Sequence, residues 1–500
     1  MISGCWTLIL LALAASAFAA YSPPGFALDQ WFIKDKGVWH QFALNGPHPR
    51  DFDKPWPPLN QPGRPALNYF EQGIFHSTSK DLVTWKDEGV AITIGKPGDW
   101  DGGKLASGNI VKHGDTFYLF YVGIAEHPEP GKCATPIGVA TSKDMVHWTK
   151  HPANPILVPD PKYYDPFGNW RDCNFLWDEK SKTWYAVICA TAKGGGPIEQ
   201  RACIALAKSS DLIHWEQLPP LVITDRYTLG LELPFIFVRG GRWYLGHSMY
   251  SSYYSKAWLA KHPEVQARGG VLYYMADNMF GPYRIVEEGL GTQPDPPPYA
   301  MQLIDEGRDK LFMHWGPCRY ATALPKRIEF QKDGRMRLVY WKGCEVARKE
   351  SLLKSDRQVE IESGSMDIGT ATDCFFEGTV EGSAGFALGD RLLIAVEPGI
   401  VRSLDPSTRK PREGREARIP SGKVRIKLVA DGSVVDVYAN DIWLFAEHCP
   451  RPNPDQARIV SLGGAARASI PIRRDKTLVT DLRLDRLSTG NAVHDYGFNY

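Results

Sequence analysis

Three carboxylates have neighbours that would suit them to chemistry. Trp170-Arg171-Asp172 sets an Arg-Asp pair directly before a strand-like run, Cys173 to Trp177. Glu232-Leu233-Pro234-Phe235 puts an acid in apolar surroundings of the kind that push a carboxyl pKa upward. Asp29 stands near the start, in Leu28-Asp29-Gln30-Trp31. An isolated Arg-Asp pair would read as a surface tie worth little. Together the three match a different need. Glycoside hydrolysis uses two carboxyls about the scissile bond, one ionised and one protonated. A third can raise its neighbour's pKa or hold ring hydroxyls. The expected catalytic set is therefore Glu232 as acid/base, Asp29 as nucleophile or general base, and Asp172, with Arg171, gripping substrate.

That assignment requires distant segments to meet, and the chain repeats itself in a way that provides for it. Ser79-Lys80-Asp81-Leu82-Val83-Thr84-Trp85 returns as Ser142 to Trp148 and as Ser209 to Trp215, at spacings of 63 and 67 residues. In each copy Ser and Asp side chains can satisfy the turn's own amides, and each follows a short apolar run that suits a strand. Between these turns lies a second element, strand, polar turn, then strand. It occurs around Trp31 and Trp39, Ile110 and Phe117, Phe175 and Trp184, Phe235 and Trp243, and more loosely Leu303 and Phe312. Five units of about four strands, with no helical periodicity, predict an all-β chain whose residues 21–348 form a five-bladed β-propeller. Aligning the units on their aromatic strands puts Asp29, Asp172 and Glu232 at equivalent places, with Ser107-Gly108-Asn109 in the second unit. From about residue 355 to 488 the unit is absent and short strands alternate with glycine-rich turns, which predicts a β-sandwich. Residues 489–500 read as a tail.

The bulk numbers narrow the function. With 58 basic and 57 acidic residues, no nucleic-acid partner is expected from bulk charge. No run is long enough to span a membrane, and no His/Cys/Asp cluster has metal-ligand spacing, so no metal or other cofactor is expected. Leu8 to Ala15 followed by Ala17-Phe18-Ala19 reads as a signal peptide over residues 1–19, implying a secreted or periplasmic protein. The eight cysteines after it are too widely and irregularly spaced for pairs to be assigned. With 16 Trp, 21 Tyr and 21 Phe, the chain could stack sugars as well as fill a β-rich core. The expected substrate-binding residues are Arg171, Trp31, Ser107, Asn109, Trp170 and His247, with Tyr250 as a further wall.

The order of these motifs resembles glycoside hydrolase family 32. That family carries a Trp-x-Asn-Asp-Pro-Asn-Gly nucleophile motif, an Arg-Asp-Pro motif and a Glu-Cys-Pro acid/base motif. Here the corresponding residues are Leu28-Asp29-Gln30-Trp31, Arg171-Asp172-Cys173 and Glu232-Leu233-Pro234. The resemblance implies a propeller followed by a sandwich and a retaining β-fructofuranosidase acting on a sucrose- or fructan-like carbohydrate. Leu28, Gln30, Cys173 and Leu233 depart from the family motifs, which bears on the substrate more than on the chemistry. The related family 43, inverting and specific for arabinan or xylan, shares the propeller and its acids. A non-catalytic carbohydrate-binding propeller is the remaining alternative.

Overall fold

The computed structural model describes residues 27–45, 73–129, 131–294, 297–315, 322–347 and most of 357–473. The expected leader, the tail and the division between 348 and 355 lie outside the described residues.

Among the described residues, the first twenty strands form five four-stranded antiparallel meanders. Blade 1 holds β1 (Ala27–Asp35), β2 (Val38–Asn45), β3 (Gly73–Ser79) and β4 (Trp85–Thr93). Blade 2 holds β5 (Lys104–His113), β6 (Thr116–Ile124), β7 (Ile137–Ser142) and the two-residue β8 (Thr149–Lys150). Blade 3 comprises β9 (Trp170–Asp178), β10 (Thr183–Thr191), β11 (Ala202–Ser209) and β12 (Glu216–Thr224). Blade 4 comprises β13 (Glu232–Arg239), β14 (Arg242–Met249), β15 (Gly269–Ala276) and β16 (Arg284–Gln293). Blade 5 is β17 (Tyr299–Glu306), β18 (Asp309–Trp315), β19 (Lys326–Phe330) and β20 (Met336–Tyr340). The first strands touch one another in a ring, β1 to β5, β9, β13, β17 and back to β1. This is the five-bladed propeller.

Local chemistry builds the blades as the sequence predicts. The three Ser-x-Asp segments are turns between the third and fourth strands. Ser79 Oγ accepts from the amide of Leu82 at 2.8 Å, and Asp81 Oδ1 accepts from Val83 and Thr84. Ser142/Asp144 and Ser209/Asp211 repeat the pattern. In each turn an apolar residue (Leu82, Met145 or Leu212) takes a left-handed conformation, φ 63–68°, and is buried. Burial of that side chain offsets the local strain. The tight turn between β1 and β2, Lys36-Gly37, has positive φ at both residues, as a two-residue hairpin requires. Blade 5 closes onto blade 1 through a shared apolar cluster (Phe32, Trp39, Leu82, Ile304, Leu311, Met313) and through Glu306, which accepts from Lys34 Nζ and Trp39 Nε1.

The C-terminal strands form the sandwich. One layer is a six-stranded sheet, and the other continues from blade 5 because β20 pairs with the strand Ile442–His448 through Val339 and Ile442. The two layers share a core that includes Phe386, Ile394, Ile426, Val437 and Phe445. Where the propeller meets the sandwich, Lys326 is fully buried, 2.8 Å from Asp436 Oδ2 and 2.9 Å from His314 Nε2.

Candidate active site

Each innermost strand is irregular near its start, where it meets the second strand of its blade. The register slips between Leu28 and Gln30 in β1 and between Ala106 and Gly108 in β5. It slips again opposite Arg171 in β9, between Glu232 and Phe235 in β13, and between Tyr299 and Gln302 in β17. A bulge re-aims the side chains around it, and here it recurs in all five blades. Asp29 (φ 39°), Asp172 (φ 57°), Leu233 (φ 49°) and Ala300 (φ 50°) take left-handed backbone. Such strain in non-glycine residues costs of order 1–3 kcal/mol each and gathers at functional sites. Blade 2 has glycine after its bulge: a Cβ on Gly108 would lie 1.8 Å from the Phe120 carbonyl oxygen.

Around the propeller axis these irregularities bring the three predicted carboxylates into one polar chain. The Ser107 hydroxyl donates to Asp29 Oδ2 and also bonds to Asp172. Asp172 Oδ2 accepts the Leu233 amide at 3.2 Å and lies 3.6 Å from Arg171 Nε. Arg171 Nη2 donates to Glu232 Oε1 at 2.7 Å, and its Nη1 donates to Asn169. The opposite oxygen of Glu232, Oε2, accepts from the Tyr299 hydroxyl. Arg171 thus stands between two acids, Asp172 buried and Glu232 largely so. Burial raises the pKa of both; the guanidinium lowers each, and the charge of Asp172 raises Glu232 further. One cation cannot neutralise two anions, so the pair retains a proton above the ordinary carboxyl range.

Of the expected binding residues, Arg171 and Ser107 belong to this chain of contacts. Asn109 instead ties β5 to β9: its Nδ2 donates to the Cys173 carbonyl at 3.3 Å and its Oδ1 accepts the Ile110 amide. Trp31 and Trp170 have no exposed surface. Trp31 fills the core between blades 1 and 2, while Trp170 donates to the Leu157 carbonyl at 3.2 Å and packs on Tyr164. His247 is equally enclosed, between Tyr227 and Tyr274, and burial lowers its pKa to about 3. Side chains without accessible surface have none to offer a sugar. Alternation along a strand separates core from site only when the bulges are known, which is why these residues mimic site residues in sequence.

Tyr299 was not legible in the sequence because the fifth unit carries no acid to mark its start. Its ring lies flat on Tyr250, with centroids 4.0 Å apart and planes 15° apart, and Tyr250 meets Tyr253 edge-on. Tyr253 hydrogen bonds to Glu232. Both tyrosines come from the excursion between β14 and β15 that contains helix α1 (Lys256–Lys261). That excursion is fastened by Ser255 N and Thr228 N, which donate to the Arg226 and Tyr253 carbonyls, and by Tyr254 and Trp258 against the Arg226 guanidinium, itself paired with Glu287.

Residues 74–275 match the model of the glycosyl hydrolases family 32 N-terminal domain. That stretch runs from β3 of blade 1 to β15 of blade 4. A β-fructofuranosidase, insoluble isoenzyme, of Arabidopsis thaliana is 30% identical over 152 residues, 30% of this chain and 25% of the relative. An extracellular exo-inulinase of Meyerozyma guilliermondii is 31% identical over 150 residues, 28% of this chain and 26% of the relative. The matching stretch thus spans about a quarter of those relatives' length. A solved family 32 β-fructofuranosidase of Bombyx mori shares the fold across 93% of this chain and 95% of its own, with a TM-score of 0.67 at 20% identity. Against the family 32 motifs, the departures at Leu28, Gln30, Cys173 and Leu233 all fall on or beside the bulges. Leu233 occupies the left-handed position that delivers its amide to Asp172, a contact that depends on backbone and not on side-chain type.

Proposed function

We propose that this protein is an exported glycoside hydrolase that cleaves the fructosidic bond of a sucrose- or fructan-like carbohydrate. The observation that carries the reading is the continuous chain Asp29–Ser107–Asp172–Arg171–Glu232. It joins Asp29, which accepts from a neutral hydroxyl, to a second pair of acids that retains a proton. The chemistry follows from that asymmetry. Asp29 attacks the anomeric carbon of the fructosyl unit as Glu232 passes its proton to the departing glycosidic oxygen, so one C–O bond forms while another breaks. Ionised Glu232 then takes a proton from water, and that water's oxygen displaces Asp29 from the sugar. Asp172 and Arg171 hold ring hydroxyls, and the charge of Asp172 keeps Glu232 protonated until the first step. The match of residues 74–275 to the family 32 model and the relatives' names support fructosides over arabinan or xylan. Residues 1–19 support export. The test is a screen of the purified protein against sucrose, inulin, levan, arabinan and xylan, with release of free fructose expected. Hydrolysis of arabinan or xylan alone would overturn the substrate class, and hydrolysis of none would overturn the enzyme reading.

A further inference from the structure

The Glu232 carboxyl is held at both oxygens, by partners of different character. Arg171 Nη2 faces Oε1 at 2.7 Å and can only donate. The Tyr299 hydroxyl faces Oε2 and can donate or accept. A proton on Glu232 is therefore best accommodated at Oε2, on the side away from the guanidinium, where the phenol oxygen can accept it. Once the proton has left, the phenol can turn its own hydrogen toward the carboxylate. The ring has little freedom to do anything else: it lies against Tyr250, and the left-handed bulge at Ala300 fixes the backbone just after it. We propose that Tyr299 is a positioning residue for Glu232, keeping Oε2 hydrogen bonded in both protonation states so that the carboxyl does not turn when its proton is transferred.

The proposal rests on the reading of Glu232 as the acid/base, and its test is arranged so that the two can fail separately. Tyr299→Phe removes one oxygen and keeps the ring on Tyr250. The hydrogen bond it deletes favours the ionised carboxyl, so the Glu232 titration should move up by about one pH unit. Infrared difference spectra of the carboxyl band, with Glu232→Gln identifying the signal, read that shift without any substrate. If fructosides are cleaved, the alkaline limb of kcat/KM should move up by the same amount. The kcat should then fall about tenfold with KM little changed, as expected of a phenol that acts through Glu232. Replacing Tyr299 with 3,5-difluorotyrosine keeps the shape and strengthens the donor, so the carboxyl titration should move down. A Glu232 band that titrates identically in all three proteins overturns the proposal even if the wild type is active. A band that shifts as stated in a protein that cleaves no fructoside upholds it and removes the fructosidase reading.

Discussion

Asp172→Asn isolates the electrostatic core of the site. The substitution preserves shape and can still accept the Leu233 amide, but it deletes one of the two charges served by Arg171. The two carboxylates touch the same guanidinium, at 3.6 Å and 2.7 Å. Their facing oxygens are therefore no more than about 9 Å apart, and Coulomb's law at an effective dielectric of about 20 gives about 2 kcal/mol between them. That corresponds to a little over one pH unit. The sign does not depend on which acid holds the retained proton. The upper titration of the pair creates the second anion beside the first, and a neutral amide in place of the Asp172 carboxyl abolishes that repulsion. Glu232 should lose its proton about one unit lower, and the alkaline limb of kcat/KM should move acidward by that amount. The pH-independent plateau will fall as well if Asp172 binds substrate hydroxyls, so the position of the limb, not its height, is the readout. Measured across pH 4–9 on sucrose or inulin, a limb that stays put or moves alkaline would refute the coupling of Asp172 to Glu232.

Arg171→Met should destabilise the fold by about 3–5 kcal/mol at neutral pH, because it leaves two buried acids without their cation. Both acids then have folded pKa values raised further above their unfolded ones, so denaturant midpoints should fall below wild type at pH 7 and recover towards it near pH 4. Lys326→Met should cost a similar amount by stranding Asp436 at the propeller–sandwich boundary, while Lys326→Met combined with Asp436→Leu should recover much of it in urea unfolding. Trp170→Phe should lower stability by about 1–3 kcal/mol through lost packing and the lost bond to Leu157, and leave KM unchanged. A raised KM with unchanged stability would return Trp170 to the substrate.

The fold was legible where side chains make local structure. Three Ser-x-Asp turns with a following Trp, and strand pairs opening on aromatics, are self-contained signals, and each became the element it predicts. The three acids were legible because the units align on those aromatics. What sequence could not convey is the bulge. It turns Asp29, Ser107, Asp172 and Tyr299 toward one another and leaves Trp31, Trp170 and Asn109 a residue or two away in the packing. A strand pattern of period two reverses across a bulge, so neighbours in sequence exchange roles without any change of composition. Tyr299 acts from the next blade and Tyr253 from a long excursion within the blade of Glu232, and no spacing rule connects either of them to Glu232.

The central claim is that Asp29 and Glu232 work on one fructosyl bond. The most direct measurement is turnover and binding of sucrose and inulin by the wild type and by Asp29→Asn, followed by fructose release and by calorimetry. The account predicts that the wild type releases fructose and that the variant loses about a thousandfold or more in kcat while still binding. Undiminished hydrolysis by Asp29→Asn would contradict it.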